Sequence, residues 1–447
     1  MNNYYQKYQK YKNKYLELKS RYVFRDGRLT DEETGTQLPQ PQPTGTGVFN
    51  QLGMGKVTQN NMISNLDGKE IIRSCANNKQ LRTQINWIQL LNKRKINFNP
   101  LGPLPTPKMC RMITDDRQKE ACTKFYHYTK GGKIVFWGSN EDSQRVDLPA
   151  DTGYIAIACK YEHSVALKNN GTIVTWGANT DYYYDQRKDS PTDAGYIAIA
   201  CGAFHSVALK NDGTIVTWGN NDYYQIDASP TDAGYIAIAC AYYHSVALKN
   251  DGTIVTWGDM YGQIDDSPTD AGYKAIACGQ YHSVALKKDG TIVTWGDNED
   301  NQRDDSPRDA GYIAIACGYD HSVALKEDGK IVTWGNNAVG QRNDSPIDDG
   351  YIAIACGYRH SVALKNDGTI VTWGDTVHNQ RNNSPTDGDY IAIACGMFHS
   401  VALKNDGTIV TWGSNNYGQT SNSPADNGYI AIACGTIHNI ALKYTID

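Results

Sequence analysis

Tryptophan returns at Trp137, Trp176, Trp218, Trp257, Trp295, Trp334, Trp373 and Trp412, a period of about 39 residues that dictates the architecture of most of this chain. Cysteine keeps the same beat at Cys159, Cys201, Cys240, Cys278, Cys317, Cys356, Cys395 and Cys434. A histidine follows each cysteine four residues later, from His163 through His205, His244, His282, His321, His360 and His399 to His438. One unit reads Gly-Tyr-Ile-Ala-Ile-Ala-Cys-Gly-x-x-His-Ser-Val-Ala-Leu-Lys-Asn-Asp-Gly-Thr-Ile-Val-Thr-Trp-Gly, then a variable polar stretch ending in Ser-Pro. A unit this small cannot bury an apolar face alone, so its copies must stack to make a core. The repeats occupy residues 131–447.

Within a unit the pattern is that of short strands. Side chains alternate across a strand, so Ile155, Ile157 and Cys159 are expected on one face and Ala156 and Ala158 on the other. The next strand sets Val165 and Leu167 against Ser164 and Ala166, and in the third Val174 and Trp176 point together. Asn-Asp-Gly at 211–213, 250–252, 366–368 and 405–407 marks tight hairpins, whose turns need positive φ. Ser-Pro closes each unit because proline cannot donate to a ladder. Short strands at a period near 40 predict an all-β propeller. The block opens on the second half of a unit, Lys133 to Gly138, and ends on the first half of another, Tyr429 to Lys443. Pairing these halves completes one more blade and removes the free edges of the ring, which brings the count to eight.

Composition excludes several classes. The apolar fraction is 40%, and the longest apolar runs are far too short to span a bilayer. The N-terminus has no apolar core and no small-residue cleavage site, so it is not read as a signal peptide. An intracellular location is expected, with the 11 cysteines as thiols. Charge is divided sharply. Residues 1–130 hold 22 Lys+Arg against 10 Asp+Glu, which leaves 21 against 38 for the propeller. An acidic ring is a poor DNA ligand.

Cys-x-x-x-His repeated eight times invites a metal reading, but zinc needs four grouped ligands and each blade offers two. These residues, like the eight tryptophans, are read as frame: a buried small thiol and a histidine bonded to backbone. No metal or cofactor is expected. Function should reside where the copies differ, at the two positions before each histidine. There the chain places Tyr161, Phe204, Tyr242, Tyr243, Tyr281, Tyr319, Asp320, Tyr358, Arg359, Met397 and Phe398. Equivalent positions around a ring form one face, and large rigid aromatics with arginine are the chemistry of a protein-binding surface. Turn residues in a Tyr-rich chain are the alternative reading. No catalytic constellation and no phosphate-cradling loop is present in the sequence, so no enzyme is expected.

Ala-Cys-Gly-x-x-His-Ser-Val-Ala-Leu-Lys followed by Asp-Gly and Trp-Gly resembles the repeat of the regulator of chromosome condensation family. The resemblance covers roughly 70 per cent of the chain and implies a propeller, in that family usually of seven blades, so the expectation here is seven or eight. It also implies, as one possible activity, guanine nucleotide exchange on a small GTPase. The wedge-like projection of the founding member has no counterpart among these units.

The first 130 residues differ. Tyr4, Tyr8, Tyr11, Tyr15, Leu18 and Tyr22 form an amphipathic helical seam over residues 1–25, ringed by lysines. It fits a partner helix, an anionic surface or a solvated tail. The run also resembles a leader of giant-virus proteins of the mimivirus group. Residues 26–56, with Pro39, Pro41 and Pro43, read as a flexible linker. Residues 57–130 read as a small α-helical region, with a capping-box-like start at Asp67 and Glu70. Its Trp-x-x-Leu-Leu-x-Lys-Arg ending is similar to the F-box-like segment of giant-virus proteins, although the usual Leu-Pro opening is absent. That resemblance implies binding of a Skp-type adaptor through Ile63, Leu66, Ile71, Ile72, Trp87, Leu90 and Leu91. A small helical domain packed beside the ring is the other reading.

The leading expectation is a non-enzymatic protein-binding propeller serving as the substrate-recognition subunit of a cullin-type ubiquitin ligase. Alternatives are an exchange factor for a small GTPase and a structural virion protein. The expected location is intracellular (host cytoplasm or nucleus for a viral protein) or the virion.

Overall fold

A computed structural model describes residues 22–25, 28–31, 131–140, 147–177, 186–258 and 262–444. The chain forms two compact units, Met1–Gly68 and Lys69–Asp447. In the first, Tyr22–Arg25 pairs antiparallel with Arg28–Asp31, in the register Tyr22↔Asp31 to Arg25↔Arg28. This corrects the expectation at the end of the helical seam and the start of the linker. Val23 and Phe24 favour extended backbone, and the two residues between the strands are Asp-Gly, the preferred two-residue hairpin connection. The rest of segments 1–25 and 26–56, and all of 57–130, lie outside the described residues.

The described residues of the second unit form an all-β propeller of eight three-stranded antiparallel sheets. Blade 1 runs Tyr154–Lys160, His163–Lys168 and Ile173–Gly177 from the centre outward. Six more blades begin at Tyr196, Tyr235, Tyr273, Tyr312, Tyr351 and Tyr390. The eighth joins Tyr429–Cys434 and His438–Lys443 to Lys133–Gly138, in the register His438↔Gly138 to Lys443↔Lys133. A strand from the start of the repeat block therefore completes a sheet made by its end.

Blades hold together through apolar sandwiches between neighbouring sheets. Ala158, Val165, Leu167 and Ile173 of blade 1 meet Tyr196, Cys201, Ala208 and Trp218 of blade 2. Of its apolar residues the middle strand thus offers Val and Leu to the next blade and Ala to the previous one, where the tryptophan joins that alanine in the same cluster. The same contact closes the ring, where Ile430, Ile440 and Leu442 of blade 8 pack on Tyr154, Ala166 and Trp176 of blade 1. Trp334 is 1% exposed, so Trp334→Ala is expected to cost about 3–5 kcal/mol, read as a shifted urea midpoint.

Simple alternation misplaces one residue of each inner strand. The register slips between Tyr154 and Ala156, a β-bulge repeated in every blade. Tyr154, Ile157 and Cys159 therefore share the face toward blade 8, whereas Ile155 joins Ala156 and Ala158 toward blade 2.

Candidate protein-binding face

The loops that carry the variable pairs are built on the frame residues around them. In six units the residue after the cysteine is glycine, and its N–H donates to the histidine carbonyl, as Gly318 does to His321 at 2.8 Å. A Cβ on Gly318 would lie 2.2 Å from His321 Cε1, so a larger residue there requires the imidazole to shift. Neighbouring loops are then stitched together. Gln280 N–H donates to Tyr319 O at 3.1 Å, Tyr319 to Tyr358 and Tyr358 to Met397 at 3.2 Å each, and Met397 to Thr436 at 3.3 Å.

Beneath the loops runs a belt of buried hydrogen bonds. His163 Nε2 bonds Ser206 Oγ of the next blade at 2.7 Å, and the pattern continues through His205 with Ser245, His244 with Ser283, His282 with Ser322, His321 with Ser361 and His360 with Ser400. His399 bonds Asn439 Oδ1 at 2.7 Å, and His438 bonds Ser164 at 3.0 Å to close the circle. The sequence reading had each histidine bonded to backbone; the partner is a side chain one copy away. Asn439 Nδ2 donates to Gln419 O, so its Oδ1 faces His399 and can only accept. His399 therefore carries its proton on Nε2. Ser400 Oγ donates to Cys395 Sγ at 3.8 Å and Ser245 to Cys240 Sγ at 3.6 Å, which leaves these hydroxyls to accept from the preceding imidazole.

Burial pushes the imidazoles down, His163, His205, His244, His282, His360 and His438 to about 3, and His321 and His399 to about 4. Burial also pushes the thiols up, Cys278 to about 11 and Cys395 to about 12. Among the described residues no group of three or more His, Cys, Asp or Glu is placed to hold a metal ion.

On this scaffold the variable aromatics form one connected cluster spanning seven blades. Tyr161 lies 5.3 Å from Phe204 and 6.0 Å from Tyr242, ring centre to ring centre. Tyr242 reaches Tyr319 at 6.2 Å, and Tyr319 reaches Tyr281 at 5.7 Å and Tyr358 at 4.1 Å. Tyr358 continues to Phe398 at 5.6 Å, and Tyr243 packs on Phe204 at 5.5 Å. Phe204 is buried and forms a floor for the tyrosines above it. Met397 is half-buried, and Arg359 is exposed with its guanidinium 5.2 Å from the Tyr358 ring centre. Burial pushes the Asp320 carboxyl up to about 7, with Asp300, Asp297 and Glu299 adding to the rise and Arg359 opposing it. Ile63, Leu66, Ile71, Ile72, Trp87, Leu90 and Leu91 lie outside the described residues.

Two sets of frame residues escape the sequence reading. Gln186, Gln225, Gln263, Gln302, Gln341, Gln380 and Gln419 are buried within the stretch read as variable. Gln341 Oε1 accepts the Val339 N–H at 2.9 Å, while its backbone carbonyl accepts Trp373 Nε1 of the next blade at 2.9 Å. Their own regular spacing was the available signal. At the opposite end of each blade Tyr, Asp and Lys form a triad. Tyr196 Oη donates to Asp193 at 2.6 Å, and Lys210 Nζ bonds the same carboxylate at 2.5 Å while lying 5.2 Å from the tyrosine ring centre.

With this geometry the comparisons with known proteins agree. The regulator of chromosome condensation (RCC1) repeat matches residues 154–182, 196–225, 235–263, 273–302, 312–341, 351–380 and 390–419. Residues 154–419 carry seven RCC1 repeats. Seven RCC1 matches accompany eight blades because the eighth copy is divided between 429–443 and 133–138. No curated protein matches the chain by sequence. Among solved structures, yeast RCC1 (Prp20) bound to Kap60 is similar at 18% identity, covering 71% of this chain and 90% of that one with a TM-score of 0.49. Prp20p of Saccharomyces cerevisiae, described with its binding properties to Gsp1p and histones, gives 19% identity, 72% and 94% coverage, and a TM-score of 0.49. The CRINKLY ectodomain of the Arabidopsis thaliana receptor kinase ACR4 gives 19% identity, 61% and 99% coverage, and 0.47.

Proposed function

We propose that this RCC1-repeat propeller is a non-catalytic protein-binding subunit that grips its partner with the aromatic face of its inter-strand loops. The observation that carries the reading is the continuous cluster from Tyr161 to Phe398, mounted on loops bonded to one another. Aromatic and arginine side chains on a rigid mount lose little entropy on binding and dominate interface energies. The acidic balance of the ring favours a partner with a basic surface. On its sequence pattern, segment 57–130 is proposed to bind a Skp-type adaptor, so that an intracellular partner held on the ring becomes the target of a cullin-type ligase.

Pull-down with the full chain from eukaryotic cell lysate tests both halves. Tyr358→Ala combined with Arg359→Ala is expected to reduce capture of the ring's partner at least about thirtyfold, the scale of a hot-spot loss, with the fold intact. Trp87→Ala should remove only the adaptor. A partner set indifferent to the double change removes the face from consideration, and failure to recover any Skp-type adaptor removes the ligase half. Accelerated nucleotide release from a small GTPase by the purified chain would favour the exchange-factor reading instead.

A further inference from the structure

The inner strands of all eight blades enclose a cavity of about 480 Å³. Its walls are the Ile, Ala and Cys of those strands, Ile199, Ala239 and Cys317 among them, and Tyr242, Tyr319 and Tyr358 line its mouth. That volume lies in the range of small-molecule sites, which are mainly apolar with a few fixed polar groups. Lys160 is the one charged side chain among the described residues that line it.

Lys160 departs from its own repeat. Six sister copies have glycine at this position and the remaining one has Ala241. The hairpin is rebuilt around the lysine: the inner strand runs one residue further and pairs Lys160 with His163. Tyr161 then takes a φ of 47°, a left-handed conformation that costs a tyrosine roughly 1 kcal/mol or more. From this turn the ammonium reaches two blades across. Nζ donates to Cys240 O at 3.2 Å and lies 5.8 Å from the Tyr242 ring centre. Burial raises the Tyr242 and Tyr319 phenols, so both stay protonated; Tyr242 can donate too, while Tyr319 is already bonded to Tyr281 and Tyr358.

We propose that the central cavity is a binding site for a carboxylate with an extended apolar body, its head held by Lys160 at the mouth and its chain lying between the inner strands. A cation fixed on a rebuilt turn, with a phenolic donor beside it and an apolar shaft below, suits both ends of such a molecule. A neutral lipid would bring no negative charge to the ammonium, and a small inorganic anion would leave the shaft unfilled.

Decanoate titrated calorimetrically into the full chain is expected to bind saturably at one site. Lys160→Met and Lys160→Gly should each weaken it at least tenfold, the scale of one hydrogen bond to a charged group. Decanol should bind the unaltered chain at least tenfold more weakly than decanoate and should not respond to Lys160→Met. Lys160→Gly installs the residue that sister blades already carry, so its fold is expected to survive, and circular dichroism checks this. Absence of saturable decanoate binding to the unaltered chain overturns the proposal, as does undiminished affinity in both folded variants. Acetate competing as well as decanoate would overturn the apolar half.

Discussion

Acidification from pH 7 to pH 4 is expected to unfold the propeller in one steep transition, with a midpoint between about pH 5 and 6 and an uptake of about eight protons. The cause is the histidine belt. Each imidazole is fully buried and neutral, and burial holds it at about 3 or 4 against an ordinary value of about 6.5. With Nε2–H donating to serine, or to Asn439 in the case of His399, the proton would have to enter at Nδ1, and all eight Nδ1 atoms are buried without a hydrogen-bond partner. The unfolded chain accepts the protons that the folded ring refuses. Stability is therefore complete above about pH 6.5 and is lost as the pH falls toward 3 to 4. Each histidine contributes a slope of about 1.4 kcal/mol per pH unit in that window, so eight together approach the whole stability of an ordinary domain within one unit. Asp320 acts in the opposite sense, since a carboxyl raised to about 7 favours the folded state as it protonates, but it is a single group. Urea midpoints measured between pH 7 and pH 5, with potentiometric proton counting, decide the matter. An uptake of one or two protons would refute the account. Replacing His321 by Gln should lower the count by one.

Deleting residues 133–138 from the full chain is expected to lower the melting temperature by more than 10 °C and to produce self-associating protein. The six residues supply the outer strand of blade 8 and bury Ile134 and Trp137. Trp137 Nε1 also donates to Gln419 O at 3.0 Å. Losing two such side chains costs about 5–10 kcal/mol by core-truncation values, before the ladder is counted. The deletion also leaves His438–Lys443 with a bare edge, an invitation to pair with another molecule. Ile134→Ala combined with Trp137→Ala keeps the ladder and separates the two contributions: it should destabilise strongly without promoting association. Scanning calorimetry with light scattering reads both, and an unchanged melting temperature in the deletion would refute the role given to this strand.

How far the sequence could be read depended on the range of the interaction that fixes each feature. The blades were legible because Trp176, Cys159 and His163 recur with every copy and strand alternation is a local rule. Ile155 was misassigned because a bulge interrupts that rule for one residue. The partner of His163 was missed because Ser206 belongs to the next copy, and adjacency of copies is a property of the closed ring. Gln341 stayed hidden among neighbours that vary, although its own interval does not. For the face, the positions were legible, but burial of Phe204 beneath the tyrosines depends on how rings from different blades lean on one another.

The divided eighth blade also sets an order of events at the ribosome. Lys133–Gly138 is translated before every other strand of the ring and its partner His438–Lys443 after all of them. Until that last segment emerges, the nascent propeller is an open arc with an unmatched strand at its leading end, exposed to whatever else can supply an edge. Completion of the circle thus coincides with completion of the repeat block, and a product of premature termination anywhere within it is left unsealed.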